Sequence, residues 1–530
     1  MANEKKLWWK NGVIYQIYPR SFRDTNGDGI GDLPGIIEKL DYINGLGVDA
    51  IWLSPINPSP DADFGYDVAD YNGIDAKYGK MTDFDNLVKE AHKRDLKIVL
   101  DLVLNHTSNQ HPWFLESKKG PISPYHDWYI WRYPRPKYGF PNNWKSVFGG
   151  PAWEYENTCG KFYYHMFAPQ QPDLNWRNPD VRKAMLNVFR FWLDKGVDGF
   201  RLDVFNEYFK DAQLRDNPHR PGLHLREFDR QIHKYDAAQP EMMPLLKEIR
   251  TLVDKYKERY IVGETFLVPP AQARTYIGPD KVHAAFDFGY THSAWSAPAF
   301  GKAIQFWDAL HGDEAWPNYV LNNHDTRRSA SRYPFGNEDS RNKMLAAMHL
   351  TLRGTPFLYY GEEIGMRELE LKKAEIQDPV GKYYWPINKG RDGCRTPMQW
   401  NSKLNAGFTS GKPWLRINSD YPNRNVAAEE EQPDSLLNCY KQLLRLRREN
   451  PALNSGTMSL KPLLNKNLLV YTRTSDKQKA LIVLNFSILP QTYKPQGEWK
   501  MLYSGNDSKR TQLLDGILHM PPFGFAILTS

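Results

Sequence analysis

At 530 residues, 41% of them hydrophobic, the chain can bury the cores of two or three packed units. No window approaches the roughly 20 uninterrupted apolar residues of a membrane helix, and the basic start MANEKK leads into no apolar run, so neither a span nor a signal peptide is expected. A formal charge of +7 is spread without a dense basic stripe, which excludes nucleic acid and membrane as expected partners.

Cys159, Cys394 and Cys439 are too few and too scattered for a disulfide framework or a zinc site, so a reduced, cytoplasmic setting is expected. The informative excess is aromatic, with 17 Trp, 30 Tyr and 25 Phe. Most of these pack cores. Sugar clefts also use aromatic faces, because one face of a pyranose is apolar and its rim polar.

In chain order, β-rich runs alternate with amphipathic helices. Strands are predicted at 12–18 (GVIYQIY), 49–53 (DAIWL), 97–103 (KIVLDLV) and 198–204 (DGFRLDV). Four more follow at 260–264 (YIVGE), 284–288 (AAFDF), 318–322 (NYVLN) and 356–360 (PFLYY). Between them Ile36, Leu40 and Ile43 form one helical stripe. Phe84, Leu87, Val88 and Ala91 form a second, behind an Asp83 cap, and Val181, Ala184, Val188 and Trp192 a third. Eight strands alternating with helices predict a (β/α)₈ TIM barrel in the α/β class.

The stretch 105–176, rich in Pro, Gly, Asn and Trp, is too long for a βα loop and reads as an inserted subdomain after the third strand. A second insertion, 367–399, follows the eighth. After residue 453 short alternating strands predict a C-terminal antiparallel β-domain. The expected division is barrel 1–104 and 177–453, subdomain 105–176, and a β-sandwich 454–530.

Barrel active sites sit where strands end at the C-terminal rim. There the chain carries Asn105-His106, Arg201 and Asp203, Glu264, and His324-Asp325. Each is weak evidence alone, since an Asp at a strand end caps a helix about as often as it catalyses. Their joint occurrence in order on the right strands is the signal. Arg201 and Asp203, two apart on a strand, share a face, and a guanidinium there favours an ionised nucleophile. Glu264 must begin protonated, which a poorly solvated position near a negative charge promotes. Two such carboxyls fit the spacing of about 5–5.5 Å used by retaining glycosidases. Asp325 is then left to bind hydroxyls and favour a charged transition state, with His106 and His324 nearby.

At these residues the chain resembles the α-amylase family of glycoside hydrolases (family 13), specifically its oligo-1,6-glucosidase/α-glucosidase branch. DLVLNH, GFRLDV, GETF and NNHD match its core motifs in order, and QPDLN at 171–175 matches a motif of the branch. YQIYPRSF, GYDV at 65–68, GTPFLYYGEEIGM and RTPMQW at 395–400 extend the likeness over the whole chain. It implies Asp203 as nucleophile, Glu264 as acid/base and Asp325 as transition-state stabiliser. It also implies a glucose pocket of Asp67, His106, Arg201, His324 and Arg395, with Tyr66 stacking on the ring and Phe148 and Phe167 at the entrance. Asp67, Arg395 and the three aromatics rest on the resemblance alone. So does the reading of Val204, beside the nucleophile, as a mark of α-1,6 preference where α-1,4 enzymes carry Thr.

Asp24, Asn26, Asp28, the Ile30 carbonyl and Asp32 form an EF-hand-like run with Gly29 at the turn and Gly35 where an EF-hand has its Glu. The resemblance implies a structural Ca²⁺ or Mg²⁺ there, and no metal for catalysis. The expected protein is a cytoplasmic monomer or weak homodimer acting on small oligosaccharides. Sucrose isomerases and trehalose synthases share the motifs and form the main alternative; only Arg327-Arg328 follows Asp325, which favours hydrolysis. Non-catalytic transporter subunits, which carry a membrane helix and lack the catalytic residues, are the remote one.

Overall fold

A computed structural model of the chain describes residues 7–136, 139–286, 288–333, 338–462, 465–505 and 510–530. The barrel strands are β1 (Ile14–Ile17), β2 (Ala50–Leu53), β3 (Lys97–Leu102), β4 (Gly199–Leu202), β5 (Tyr260–Gly263), β6 (Ala284–Ala285), β7 (Asn318–Val320) and β8 (Thr355–Tyr359). They pair in parallel in the order β7-β8-β1-β2-β3-β4-β5-β6, a near-closed barrel of the TIM type. Every strand falls inside or within a residue of its predicted run. At β6, Phe288, expected at the strand's end, opens the helix Phe288–Thr291 instead, and residue 287 lies outside the described residues.

Side-chain alternation along each strand sets the architecture. Ile14, Ala50, Trp52, Val99, Val262, Ala284, Val320 and Phe357 point inward and fill the barrel with an apolar plug. Their neighbours Tyr15, Ile51, Leu100, Phe200 and Ile261 point outward and pack on the helices. The same parity carries upward: Asp101 is two past Val99, and Glu264 two past Val262. Polar groups therefore begin where the plug ends, at the C-terminal rim.

The helices form on the predicted stripes, with corrections. Ile36, Leu40 and Ile43 are fully buried but divided between two helices, Leu33–Glu38 and Leu40–Leu46. Asp83 is not the cap of Met81–His92. It sits in the first turn and reaches back to accept the Lys80 N–H at 2.8 Å, satisfying one orphan donor from inside the helix. In Pro179–Asp194 the buried face runs through Met185 and Phe189, with Ala184 only half-buried.

The subdomain after β3 holds a three-stranded antiparallel sheet (Trp131–Arg132, Trp153–Glu156, Lys161–Tyr164). Its core of Trp144, Val147, Phe148, Trp153, Tyr164 and Met166 also takes in Leu214 and Phe228 from the loop after β4 and Val380 from the loop after β8. C-terminal to the barrel, a five-stranded antiparallel sheet faces a three-stranded one. Leu468, Val470, Leu481, Val483, Leu518 and Leu528 fill the space between them. The opposite face of the larger sheet, with Leu469, Tyr471, Ile482 and Ile527, packs into the main core against the barrel helices. No helix among the described residues is long and apolar enough to cross a membrane.

Candidate active site

Arg201 is the centre of the site. Its guanidinium, buried at the end of β4, donates to Asp101 (2.7 Å), to Asp203 (2.6 Å) and to Glu264. Asp203 follows β4 by one residue and Glu264 follows β5 by one, so adjacent strand ends deliver the two carboxyls to one cation. They also share a hydrogen bond. Burial is the largest influence on both. It lifts Asp203 to about 7 against the pull of Arg201, and Glu264 to about 8, where the Asp203 charge adds to it. Arg201 thus acts on Asp203 as expected, but desolvation outweighs it. The two titrate as a coupled pair, within which the neighbouring Asp203 charge raises Glu264 further.

Asp325 has the opposite electrostatics. Burial would raise its pKa, but the surrounding positive charge drives it well below the usual carboxylate range. His324 is itself kept neutral by burial, its pKa pushed down to about 3. At neutral pH the charges that matter are therefore Arg395 at 2.9 Å and Arg391 at 3.2 Å.

A chain of hydrogen bonds steadies the floor. Gln16 meets His324 Nδ1 (2.8 Å), His324 Nε2 meets the Tyr66 hydroxyl (2.5 Å), and Tyr66 meets Asp101 (3.0 Å). Donation in that order fits a neutral His324 protonated at Nε2, with Gln16 Oε1 left without a partner. The Tyr66 and His324 rings lie parallel, 3° apart. His106, pushed down to about 4 by burial, donates from Nε2 to the Tyr66 carbonyl (2.9 Å) and takes Asn105 at Nδ1 (3.1 Å). Phe167 lies against His106 and Phe148, with ring centroids 5.3 and 5.5 Å away. Asp67 is fully buried and accepts from Ser59 (2.7 Å), Ala62 N (2.9 Å) and Asp63 N (3.0 Å), shaping the turn before the GYDV run.

Arg391 is a functional residue that pattern reading passed over. Besides Asp325 it contacts Asp63 (2.5 Å) and Asp378 (2.6 Å), and its guanidinium lies 5.2 Å from the centre of the Phe148 ring on the subdomain side. It lies in an irregular insertion with no periodicity; its one signal is an Arg four residues before RTPMQW. Arg395 donates to the His324 carbonyl (2.8 Å) and keeps its Nη1 without a partner, a buried donor aimed at no protein group. Val204 is 6% exposed and takes a left-handed conformation (φ 33°, ψ 43°), costly for a β-branched residue and placed directly after Asp203. A cavity of about 680 Å³ opens from Asp325 and Arg391 towards Leu225, Arg226, Arg327 and Ile387.

The 24–32 loop lies away from these groups. Asp24, Asn26 and Asp28 each accept an amide two residues on, and Asp24 also accepts the Gly29 N–H (2.8 Å) and the Thr409 hydroxyl. Asp32 accepts from Thr25 and caps the next helix at Gly35 N (2.7 Å). These are hard oxygen donors, the kind Ca²⁺ or Mg²⁺ takes. Most of their side-chain oxygens also accept hydrogen bonds within the loop, and among the described residues no three acidic side chains are grouped to hold an ion. The donor types fit such an ion, while the loop as placed is closed on its own hydrogen bonds.

Comparison with known proteins agrees with this geometry. The family model "Alpha amylase, catalytic domain" matches residues 16–456. The chain is 43% identical to a probable alpha-glucosidase of Rhizobium meliloti (strain 1021), over 91% of this chain and 89% of that one. It is 40% identical to an oligo-1,6-glucosidase of Heyndrickxia coagulans, over 96% and 97%. The crystal structure of the alpha-glucosyl transfer enzyme XgtA superposes with a TM-score of 0.94 at 40% identity, over 99% of this chain and all of that one. With the carboxyl pair, its shared arginine and the barrel all in place, the chain belongs to the alpha-amylase family and is a glycoside hydrolase.

Proposed function

We propose that the protein is an exo-acting, retaining α-glucosidase that releases α-glucose from the non-reducing end of short α-glucosides: isomalto- and malto-oligosaccharides, and sucrose. The observation that carries this is the single Arg201 guanidinium shared by Asp203 and Glu264 at adjacent strand ends. In the first step an Asp203 oxygen bonds to the anomeric carbon while the glycosidic C–O bond breaks and the Glu264 proton passes to the departing oxygen. In the second, Glu264 takes a proton from water, whose oxygen displaces Asp203 and returns it as carboxylate. Asp325, held ionised, faces the positive charge that develops at the anomeric centre. Exo action is proposed with Arg391 tying Asp63 to Asp325 and Asp378 at the edge of the site.

Linkage preference is proposed from Val204. An α-1,6 link presents a methylene that can rest on an apolar side chain, whereas α-1,4 links bring ring hydroxyls that Thr would bond. Initial rates on isomaltose, maltose, sucrose, trehalose and p-nitrophenyl α-glucoside should show isomaltose ahead of maltose, with both cleaved. One such contact is worth about 1–3 kcal/mol, roughly 10–200-fold at most. Val204→Thr should raise the maltose-to-isomaltose ratio of kcat/KM; an unmoved ratio overturns the assignment. The same geometry serves glucosyl transfer if a sugar replaces water, the reading to which the transfer enzyme's likeness points. Product analysis on sucrose separates the two: isomerised disaccharide marks transfer, glucose and fructose mark hydrolysis.

A structural Ca²⁺ or Mg²⁺ in the 24–32 loop is proposed on the chemistry of its donors alone.

A further inference from the structure

Asn206 lies three residues beyond Asp203 and is fully buried, yet it belongs to neither the nucleophile nor the pocket wall. β4 and β5 are paired by their backbones as far as Leu202 opposite Gly263, and the last bond runs from Glu264 N to Leu202 O (2.9 Å). Past that point the two chains diverge, and among the described residues no backbone bond joins 203–206 to 264–266. The Asn206 side chain fills the gap. Its Oδ1 accepts the Phe266 N–H (2.8 Å) and its Nδ2 donates to the Phe266 carbonyl (2.7 Å), as a neighbouring peptide group would. The second amide hydrogen goes to Glu207 Oε1 (2.5 Å), and the Asn206 carbonyl accepts Ala238 N (2.9 Å). Both polar atoms of its side chain are satisfied, and its orientation is fixed from both sides.

The consequence is geometric. Glu264 sits between two restraints, the last strand bond at its own N–H and the Asn206 clamp two residues on. Thr265 adds a third, donating to the Phe286 carbonyl (2.9 Å). Because the clamp springs from the segment that carries Asp203, it fixes the acid/base relative to the nucleophile and not merely relative to the barrel. A catalytic pair tolerates displacements of only about 0.5 Å, and a 1 Å error costs on the order of 10²-fold.

We infer that Asn206 is a positioning residue that holds Glu264 at protonating distance from the bond Asp203 attacks. It rests on the double-displacement reading above and deepens it.

The test uses leaving groups. Maltose needs a proton on its departing oxygen, whereas fluoride leaves α-glucosyl fluoride unassisted, and kcat/KM reports the first step alone. Asn206→Ala should lower kcat/KM for maltose about 10²-fold while changing that for the fluoride by less than about 3-fold. Asn206→Gln keeps the amide but displaces it by one methylene and should show the same discrimination more weakly, so the test stands if the alanine variant fails to fold. Glu264→Gln is measured alongside. If it fails to discriminate between the substrates, the assignment of Glu264 as the proton donor in the proposed function is wrong. If it discriminates and folded Asn206 variants lose both activities equally, or neither, Asn206 is only structural and the inference is overturned.

Discussion

At Asp203 and Glu264 burial and charge pull in opposite directions, and the outcome sets the pH at which the enzyme works. Both groups rise from their ordinary values of 3.8 and 4.5, to about 7 and about 8. The productive state holds one proton, on Glu264. As pH falls through the Asp203 value a second proton neutralises the nucleophile, and as pH rises through the Glu264 value the acid is lost. The kcat/KM profile should therefore be bell-shaped with its maximum in the neutral range. A maximum near pH 4, about where free carboxyls titrate, would show that burial does not govern the pair. This residue pair was legible in the sequence because period-two alternation places Arg201 and Asp203 on one face. Arg391 and Asn206 were not legible: their partners, Asp63 at 328 residues' separation and Phe266 at 60, are set only by how the loops fold.

At the scale of elements, the strands could be read because each is a short β-branched or aromatic run bounded by turn residues, with polar groups stacked at its C-terminal end. Helix ends were less legible. Asp83 has the composition of a cap, which would accept an amide two or three residues on, but from the first turn it reaches back to the Lys80 N–H, and sequence alone does not separate the two. The 24–32 loop shows the same ambiguity in its chemistry, since the oxygens that would chelate an ion also make its turns. The proposed ion has a direct test, because a ligand bound only by the folded state stabilises it by mass action. Chelation should lower the melting temperature while activity at low temperature persists. An unchanged melting curve, with no metal found by elemental analysis, would show that the hydrogen bonds hold the loop unaided.

Across the whole molecule, the pocket is assembled from parts of the chain that share no local pattern: the turn after β2, the subdomain after β3, and the insertion after β8. Arg391, in that insertion with Asp378, joins them through Asp63 and the Phe148 ring, and reaches Asp325 after β7. Burial already pushes Asp63 up to about 6 even with this partner in place. Arg391→Gln leaves buried carboxylates uncompensated and should cost about 3–5 kcal/mol in urea unfolding at neutral pH; a change under about 1 kcal/mol, the range of an exposed pair, would show that the junction does not depend on it. The division into barrel, subdomain and C-terminal sheets could be anticipated from changes of periodicity, but the sharing of one core by three insertions could not. What all these parts serve is two successive inversions at one carbon. Proton NMR of the glucose released in the first moments of hydrolysis tests that most directly: the double displacement predicts the α-anomer first, and β-glucose appearing first would contradict it.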